Sequence, residues 1–275
     1  MNRILFERDE IKDGVAMFGG DRAEHVLRVL HGEVGQVLKT GEIDGSIGTS
    51  EILSIEQSEQ SNNSKITVRC SHAEESRRPW VDLILAPPRP RVMKRLLPQL
   101  ATLGVGRIVL VGAKKVEKDF WGATLLKEEN YRPLLVDGLT QAGTSILPTL
   151  EMRRNFRKFV IEELDALFPT SVRIVAHPYG SGDGSPLTRI SANQANCRES
   201  FAEIGSIRED SCCEIVRKVP ILAIGPEGGW TDEEVTLLEE HGFTRYSLGA
   251  RILRTDTATI ALLSQLMQVY DQGLP

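Results

Sequence analysis

The sequence predicts an α/β fold, and three observations carry that prediction. Within Ile221–Met267 the chain runs twice from a short apolar stretch through a glycine turn into a helix. Val81–Val111 follows the order strand, helix, strand at a spacing suited to a parallel βαβ unit. Ahead of both, residues 1–75 alternate apolar and polar side chains between glycine or Ser/Asn turns, the pattern of half-buried strands in a small β-rich unit.

In chain order, strands are expected at Val34–Thr40, Gly48–Ile55 and Lys65–Cys70. Gly41–Gly48 reads as a hairpin and Ser58–Ser64 as another turn. Glu24–Leu30 reads as a short helix, and the charged Glu74–Pro79 as a linker, so the domains are expected at 1–75 and 80–275. The second domain opens with a strand, Val81–Ala86, and the proline-bearing turn Pro87-Pro88-Arg89-Pro90-Arg91. A helix follows over Val92–Leu103, closed by Gly104 and either kinked or split at Pro98. Arg107–Val111 is the next strand, Leu125–Gly143 is mostly helical, and Val172–Ala176 is a buried strand ending at His177–Pro178. Tyr179–Val219, rich in Ser, Gly and charge and without periodicity, reads as a long, mobile surface insertion, with a short helix at Phe201–Ile207.

The C-terminal stretch is the most informative. Ile221–Ile224 looks like a buried strand that stops at Gly225-Pro226-Glu227-Gly228-Gly229. Thr231 stands three residues before Glu234, the spacing of a capping box, so a helix begins there. Gly242 ends that helix. A second strand, Arg245–Leu248, runs into Gly249, and Arg251–Arg254 leads to a helix opening near Thr255. The last helix, Thr257–Tyr270, is apolar around most of its circumference, which implies burial on more than one side.

At 275 residues, with 41% apolar and 26% charged residues, the composition is that of a soluble globular protein. No apolar run approaches the ~20 residues of a membrane span, and the N-terminus MNRILFERDE has no signal-peptide core. Cys70, Cys197, Cys212 and Cys213 show no zinc spacing and read as reduced intracellular thiols, with no metal implied. No GxxxxGK[ST] is present, which sets aside a P-loop nucleotide-binding protein. The net charge is −5, yet ten Lys or Arg residues stand between Arg77 and Lys118 against only Asp82 and Glu117, a local +8. That asymmetry is the footprint of a polyanion surface, or of a solvated set of helix and loop positions.

Both glycine turns fall at the carboxyl ends of strands, where open α/β sheets hold ligands. Glycine there lets backbone N–H and C=O groups approach a flat ligand that a Cβ would repel. Gly225–Gly229 taken alone is equally a tight turn. Two such turns twenty residues apart point to a site.

IGPEGGW-T-x-E-E followed by LGxRILRTDTA resembles the C-terminal signature of the RsmE family, methyltransferases acting on uridine N3 at position 1498 of 16S ribosomal RNA, within the SPOUT superfamily. The family pattern usually has Glu where this chain has Asp256, and an aromatic residue, often Phe, where it has Trp230. Further matches are His25, Arg28, Val29 and Leu30 to an H-x-x-R-V-L element, and Gln141-Ala142-Gly143 to E-Q-S-G-R, with Thr144 in place of arginine. Arg89-Pro90-Arg91 departs from the commonest K-G-D-[RK] form of the first loop.

The resemblance implies a SPOUT domain with a deep trefoil knot, preceded by a PUA-like β-barrel. It implies S-adenosylmethionine as cofactor, cradled by His177, Ile224, Gly225, Pro226, Glu227, Gly228, Gly229, Leu248, Gly249, Ile252, Leu253, Arg254, Thr257 and Ala258. His177 either lines that pocket or is structural. Arg28, Arg89, Arg91, Lys94 and Gln141 are the expected RNA contacts, with Arg28 alternatively pairing with Glu24 across a helical turn. The expected partners are ribosomal RNA in the small subunit and a second copy of the chain, joined through the knot region. A buried core helix in a monomer is the alternative.

The cofactor's sulfonium makes its methyl group electrophilic, so the enzyme must chiefly align methyl and acceptor nitrogen. Uracil N3 must also lose a proton, which calls for a base or for a cation that stabilises the imide anion. Arg254 is the expected cation, and Asp256 either accepts the proton or caps the last helix. N3 lies on the Watson–Crick edge, so the base must be unpaired or flipped out. The alternatives are a SPOUT methyltransferase for another RNA and a non-catalytic ribosome-assembly protein. The expected compartment is the cytoplasm, or an organelle if a transit peptide has been removed.

Overall fold

The computed structural model describes residues 3–56, 64–169, 172–178, 219–249 and 251–272. The turn expected at Ser58–Ser64 and the insertion at 179–219, with its short helix and three of the cysteines, fall almost wholly outside these residues. Two compact units are present: Met1–Pro79 with Arg132–Leu147, and Trp80–Tyr131 with Pro148–Pro275.

The first unit holds β1 (Ile4–Phe6), β2 (Ile11–Lys12), β3 (Val15–Phe18), α1 (Gly20–Arg28), β4 (Val37–Glu42), β5 (Ile47–Glu56) and β6 (Lys65–Glu74). They form a six-stranded sheet of order β1-β4-β5-β6-β3-β2, antiparallel except where β1 pairs with β4. Phe6, Phe18, Val26, Ile52, Ile66 and Val68 make its core. The strand expected from Val34 starts at Val37, because Gly35 adopts φ +86° and donates its N–H to the Ile52 carbonyl at 2.8 Å. Likewise α1 begins at Gly20, four residues before expectation, with Asp21 in its first turn and Gly19 extended before it. β6 runs on to Glu74 because β5 pairs with it throughout. β1, β2 and β3 were not expected.

The second unit is built on a parallel sheet. Its elements are β7 (Val81–Leu85), α2 (Pro90–Thr102), β8 (Val105–Val111), the start of α3 (Glu128–Ala142), β9 (Thr149–Arg153), α4 (Phe156–Lys158), a π turn (Phe159–Glu163) and α5 (Leu164–Leu167). There follow β10 (Arg173–Ala176), β11 (Ile221–Ile224), α6 (Asp232–Glu240), β12 (Phe243–Tyr246) and α7 (Thr255–Gln272). The order β12-β10-β11-β7-β8-β9 is parallel throughout. A parallel sheet covered on both faces needs strands that are apolar on both sides, and Leu83, Ile84, Val109, Leu110, Ile221, Leu222 and Ala223 are all fully buried.

Pro98 neither splits α2 nor ends it. Pro90 starts the helix, where its missing N–H is harmless, and Gly104, φ +78°, turns the chain out of it into β8. β9 and the helical turns of Phe156–Leu167 were not expected. β12 lies two residues earlier than expected, with Phe243 buried immediately after Gly242, φ +81°. The following Ser247-Leu248-Gly249 is therefore a turn.

Candidate functional site

β11 delivers its chain to the carboxyl edge of the sheet with Ile221–Ile224 buried, and the glycine turn begins at that edge. A Cβ on Gly225 would stand 3.0 Å from the Trp230 amide nitrogen and 3.1 Å from Trp230 Cδ1, so only glycine lets the indole close on the turn. Gly229 takes φ +70° and donates its N–H to the Pro226 carbonyl at 2.8 Å, folding the turn back. Trp230, 4% exposed, is held against Phe156 with ring centroids 5.2 Å apart. Its indole N–H has no acceptor among the described residues.

The expected capping box is present. Thr231 Oγ1 accepts from the Glu234 amide at 3.3 Å, and Glu234 Oε2 accepts from the Thr231 amide at 2.8 Å. The second carboxylate oxygen accepts from the Lys114 amide at 2.7 Å, tying the chain after β8 to the start of α6.

The second turn closes the opposite wall. His177 donates its backbone N–H to the Tyr246 carbonyl at 3.1 Å, joining the ends of β10 and β12. Gly249, φ +117°, donates to Ser247 Oγ at 3.3 Å. The Ala258 amide donates to the Arg254 carbonyl at 2.8 Å, which makes Arg254 the residue from which α7 springs. Between these walls lies a cavity of about 330 Å³, bounded by the ends of β10, β11 and β12 and by the first turns of α7. Its size is at the lower end of small-ligand pockets. Beside it, a cleft of about 350 Å³ is lined by Arg89, Val92, Glu227, Arg254, Thr255 and Asp256, and shares Glu227 and Thr255 with the cavity.

Residues 74–267 match the model of the RNA methyltransferase domain family. The chain belongs to this family. Among similar proteins is the ribosomal RNA small subunit methyltransferase E of Treponema pallidum, 29% identical over 95% of this chain and 88% of that protein. The corresponding enzyme 1 of Borreliella burgdorferi is 22% identical over 95% of each chain. The structure of ribosomal RNA small subunit methyltransferase E from Neisseria gonorrhoeae bound to S-adenosyl methionine has the same fold, with a TM-score of 0.65, 19% identity and 98% of each chain covered. Family model and relatives together bear out the RsmE resemblance.

Within this methyltransferase fold, the cavity gathers His177, Ile224, Gly225, Pro226, Glu227, Gly228, Gly229, Leu248, Ile252, Leu253 and Ala258 from the residues expected to hold the cofactor. Three others lie differently. Gly249 shapes the turn without lining the cavity, Arg254 lines the adjoining cleft, and Thr257 is exposed on α7. Asp256 also lines the cleft. One of its carboxylate oxygens lies 3.3 Å from Arg95, and the other accepts from the Thr257 amide at 2.9 Å. It stands in the first turn of α7, where a negative charge favours the helix. Arg254 has no ion pair among the described residues.

Arg89 pairs with Glu227 at 3.4 Å, whereas Arg91 and Lys94 project from α2 without a carboxylate partner among the described residues. Arg28 and Gln141 belong to the first unit, and Arg28 pairs with Glu24 at 3.4 Å, the local contact its spacing allowed. Trp230, Tyr246, Ser247, Thr255 and Leu262 line the cavity and were not foreseen. Leu262 could have been found from Ala258 by the i+4 rule for one helix face. Ser247 could not, because its place depends on where β12 ends. No His, Cys, Asp or Glu cluster able to hold a metal occurs among the described residues.

Proposed function

We propose that this chain is an RsmE-type enzyme that moves a methyl group from S-adenosylmethionine to N3 of a uridine in small-subunit ribosomal RNA, m3U1498 in type. The observation that carries the proposal is the pairing of a glycine-walled cavity with an arginine-bearing cleft across shared Glu227 and Thr255. The residues present suit the cofactor: a cavity walled by Ile224, Leu248, Leu253 and Leu262 accepts apolar ligand surface, while the two turns bring backbone groups to its rim. Bound there, the cofactor supplies an electrophilic methyl group.

The chain's own residues do the rest. The cavity and its turns fix the donor, and the cleft holds the acceptor base against it, which is the entropic part of catalysis. Arg254, exposed and without a carboxylate partner among the described residues, stabilises the imide anion as N3 loses its proton. Asp256 and its Arg95 pair hold the first turn of α7, and with it the Arg254 backbone, in register. Glu227, which borders cavity and cleft alike, is kept at that border by Arg89.

The reading extends to parts that rest on the family. The chain around Leu248, Gly249 and Arg251–Arg254, with α7, forms the trefoil knot; the six-stranded sheet of the first unit is the PUA-like domain, and the second unit is the methyltransferase domain. Arg28, Gln141, Arg89, Arg91 and Lys94 contact RNA. The enzyme is a homodimer through the knot region; Ile252, 90% exposed, and Leu253, 37% exposed, are apolar side chains suited to such an interface. It works in the cytoplasm, where bacterial ribosomes are made.

The test uses small ribosomal subunits from cells lacking their own uridine-N3 enzyme, incubated with this protein and labelled S-adenosylmethionine. Nucleoside mass spectrometry should find 3-methyluridine, and Arg254→Ala should lower its rate by at least ~100-fold, the scale of removing one oxyanion-stabilising group. A different methylated nucleoside would move the substrate to another RNA site. No methylation and no calorimetric binding of the cofactor would leave the reading without support.

A further inference from the structure

Clefts continue along the carboxyl edge of the parallel sheet beyond the proposed methyl-transfer site. The first, of about 310 Å³, lies at the ends of β7, β8 and β11; it includes Arg89, Lys115 and Phe120 and shares Pro226, Glu227 and Gly228 with the cavity. The second, of about 340 Å³, lies at the ends of β8 and β9 and includes Lys114, Arg154 and Arg157. Adjacent residues join them: Lys114 and Lys115 line one each, and Trp121, next to Phe120, lies under the Arg154 guanidinium at 5.9 Å.

The charge pairing along this edge is selective. Arg153 ends β9 locked between Glu151 and Glu163, and Lys158 pairs with Glu162. Arg154 and Arg157, which line the outer cleft, have no carboxylate partner among the described residues, nor has Lys118. The acids bordering the clefts are largely engaged. Glu227 is held by Arg89, Glu233 by Lys114, and Glu234 by three N–H or O–H donors, which leaves Glu117 and Asp119 at the short 3₁₀ helix Lys118–Gly122. Trp80 and Trp230 are buried, but Trp121 is half-exposed with a cation on its face. Cations without carboxylate partners around a half-exposed aromatic ring suit a sequence-tolerant single strand of nucleic acid: phosphates meet the cations and a base stacks on the ring.

We propose that this edge is a groove for the single-stranded RNA flanking the target nucleotide, in which Arg154 and Arg157 take phosphates and Trp121 stacks a base. The inference rests on the RNA-methyltransferase reading and adds to it the path of the strand. That path leads from the methyl-transfer site, over Pro226–Gly228, toward the end of β9.

Fluorescence anisotropy with a fluorescein-labelled single-stranded RNA tests it, using the full chain over a range of salt concentrations, with thermal unfolding to confirm that each variant is folded. Arg154→Ala/Arg157→Ala should weaken binding at least ~10-fold and reduce the salt slope by about 1.4, the value for two lost single-strand phosphates. Arg154→Lys/Arg157→Lys should restore the slope. Trp121→Leu should weaken binding between ~5-fold and ~150-fold with the slope unchanged. Wild-type affinity and slope in both the alanine and leucine variants would overturn the groove while leaving RNA binding intact. Equal or tighter binding of duplex RNA, indifferent to Trp121→Leu, would also overturn it. If the unaltered protein bound the cofactor but neither this RNA nor ribosomal RNA, the RNA reading itself would fail, and the groove with it.

Discussion

Glu234 is 8% exposed, and its carboxylate is the clip between the end of β8 and the turn that walls the cavity. Three donors converge on it: the amides of Lys114 and Thr231 at 2.7 and 2.8 Å, and the Thr231 hydroxyl at 3.0 Å. Glu234→Gln keeps the shape and one acceptor oxygen but turns an NH2 toward one of the two amides. The amide left without an acceptor costs about 1–3 kcal/mol. Glu234→Ala orphans both amides, for about 2–6 kcal/mol, and removes a charge that favours the start of α6. Thr231→Ala loses only the hydroxyl half of the box, about 1 kcal/mol.

Urea unfolding monitored by tryptophan fluorescence should therefore order the variants Thr231→Ala, Glu234→Gln, Glu234→Ala by falling midpoint at constant m. Because Trp230 precedes the box, calorimetric cofactor affinity should fall in the same order. The reasoning is refuted if Glu234→Gln lies within about 0.5 kcal/mol of the unaltered protein, the range of ordinary surface substitutions.

Two further perturbations probe the sheet beneath the site. Burial raises the pKa of Asp82 on β7, against the opposing charge and backbone N–H of Arg107. The folded state thus holds the proton longer than the unfolded chain, so stability falls as pH rises from the ordinary aspartate value through the raised one. Asp82→Asn should remove that fall and be the more stable protein at neutral pH; a less stable variant there, by urea midpoint, would contradict it. Gly112 lies at the end of β8, where a Cβ would meet the Arg154 backbone carbonyl, which cannot swing aside as a side chain can. Gly112→Ala should cost at least ~1–3 kcal/mol in thermal unfolding and weaken RNA binding through Arg154; an unchanged midpoint would show that β8 and β9 separate freely.

What was legible in the chain was what short-range chemistry decides. Thr231 and Glu234 form their box because both partners lie within one helical turn, and Gly242 adopts positive φ for a reason internal to the end of α6. The apolar runs of β7, β8, β10 and β11 could be read because a strand buried on both faces has no freedom in composition. β9 could not. Its Glu151 and Arg153 answer each other and Glu163, and an edge strand stabilised by ion pairs has the sequence of a loop. β1 is three residues long and exists because β4 lies parallel beside it, a partner more than thirty positions away.

The same distinction divides the site. The glycine turns were visible, since a required absence of Cβ leaves its mark on the sequence. The distribution of these residues between cavity and cleft was not, because it depends on the direction in which α7 leaves Arg254. By springing from Arg254, α7 turns Ala258 and Leu262 toward the cavity while Arg254 and Asp256 line the cleft next to Arg89. Residues contiguous in one motif are thereby assigned to two chambers: Leu253 walls one and its neighbour Arg254 lines the other. A motif read for cofactor-holding and catalytic residues together is thus divided between the cavity and the cleft, and the proposed reaction needs such a division, because transfer requires two ligands held on either side of one short stretch of chain.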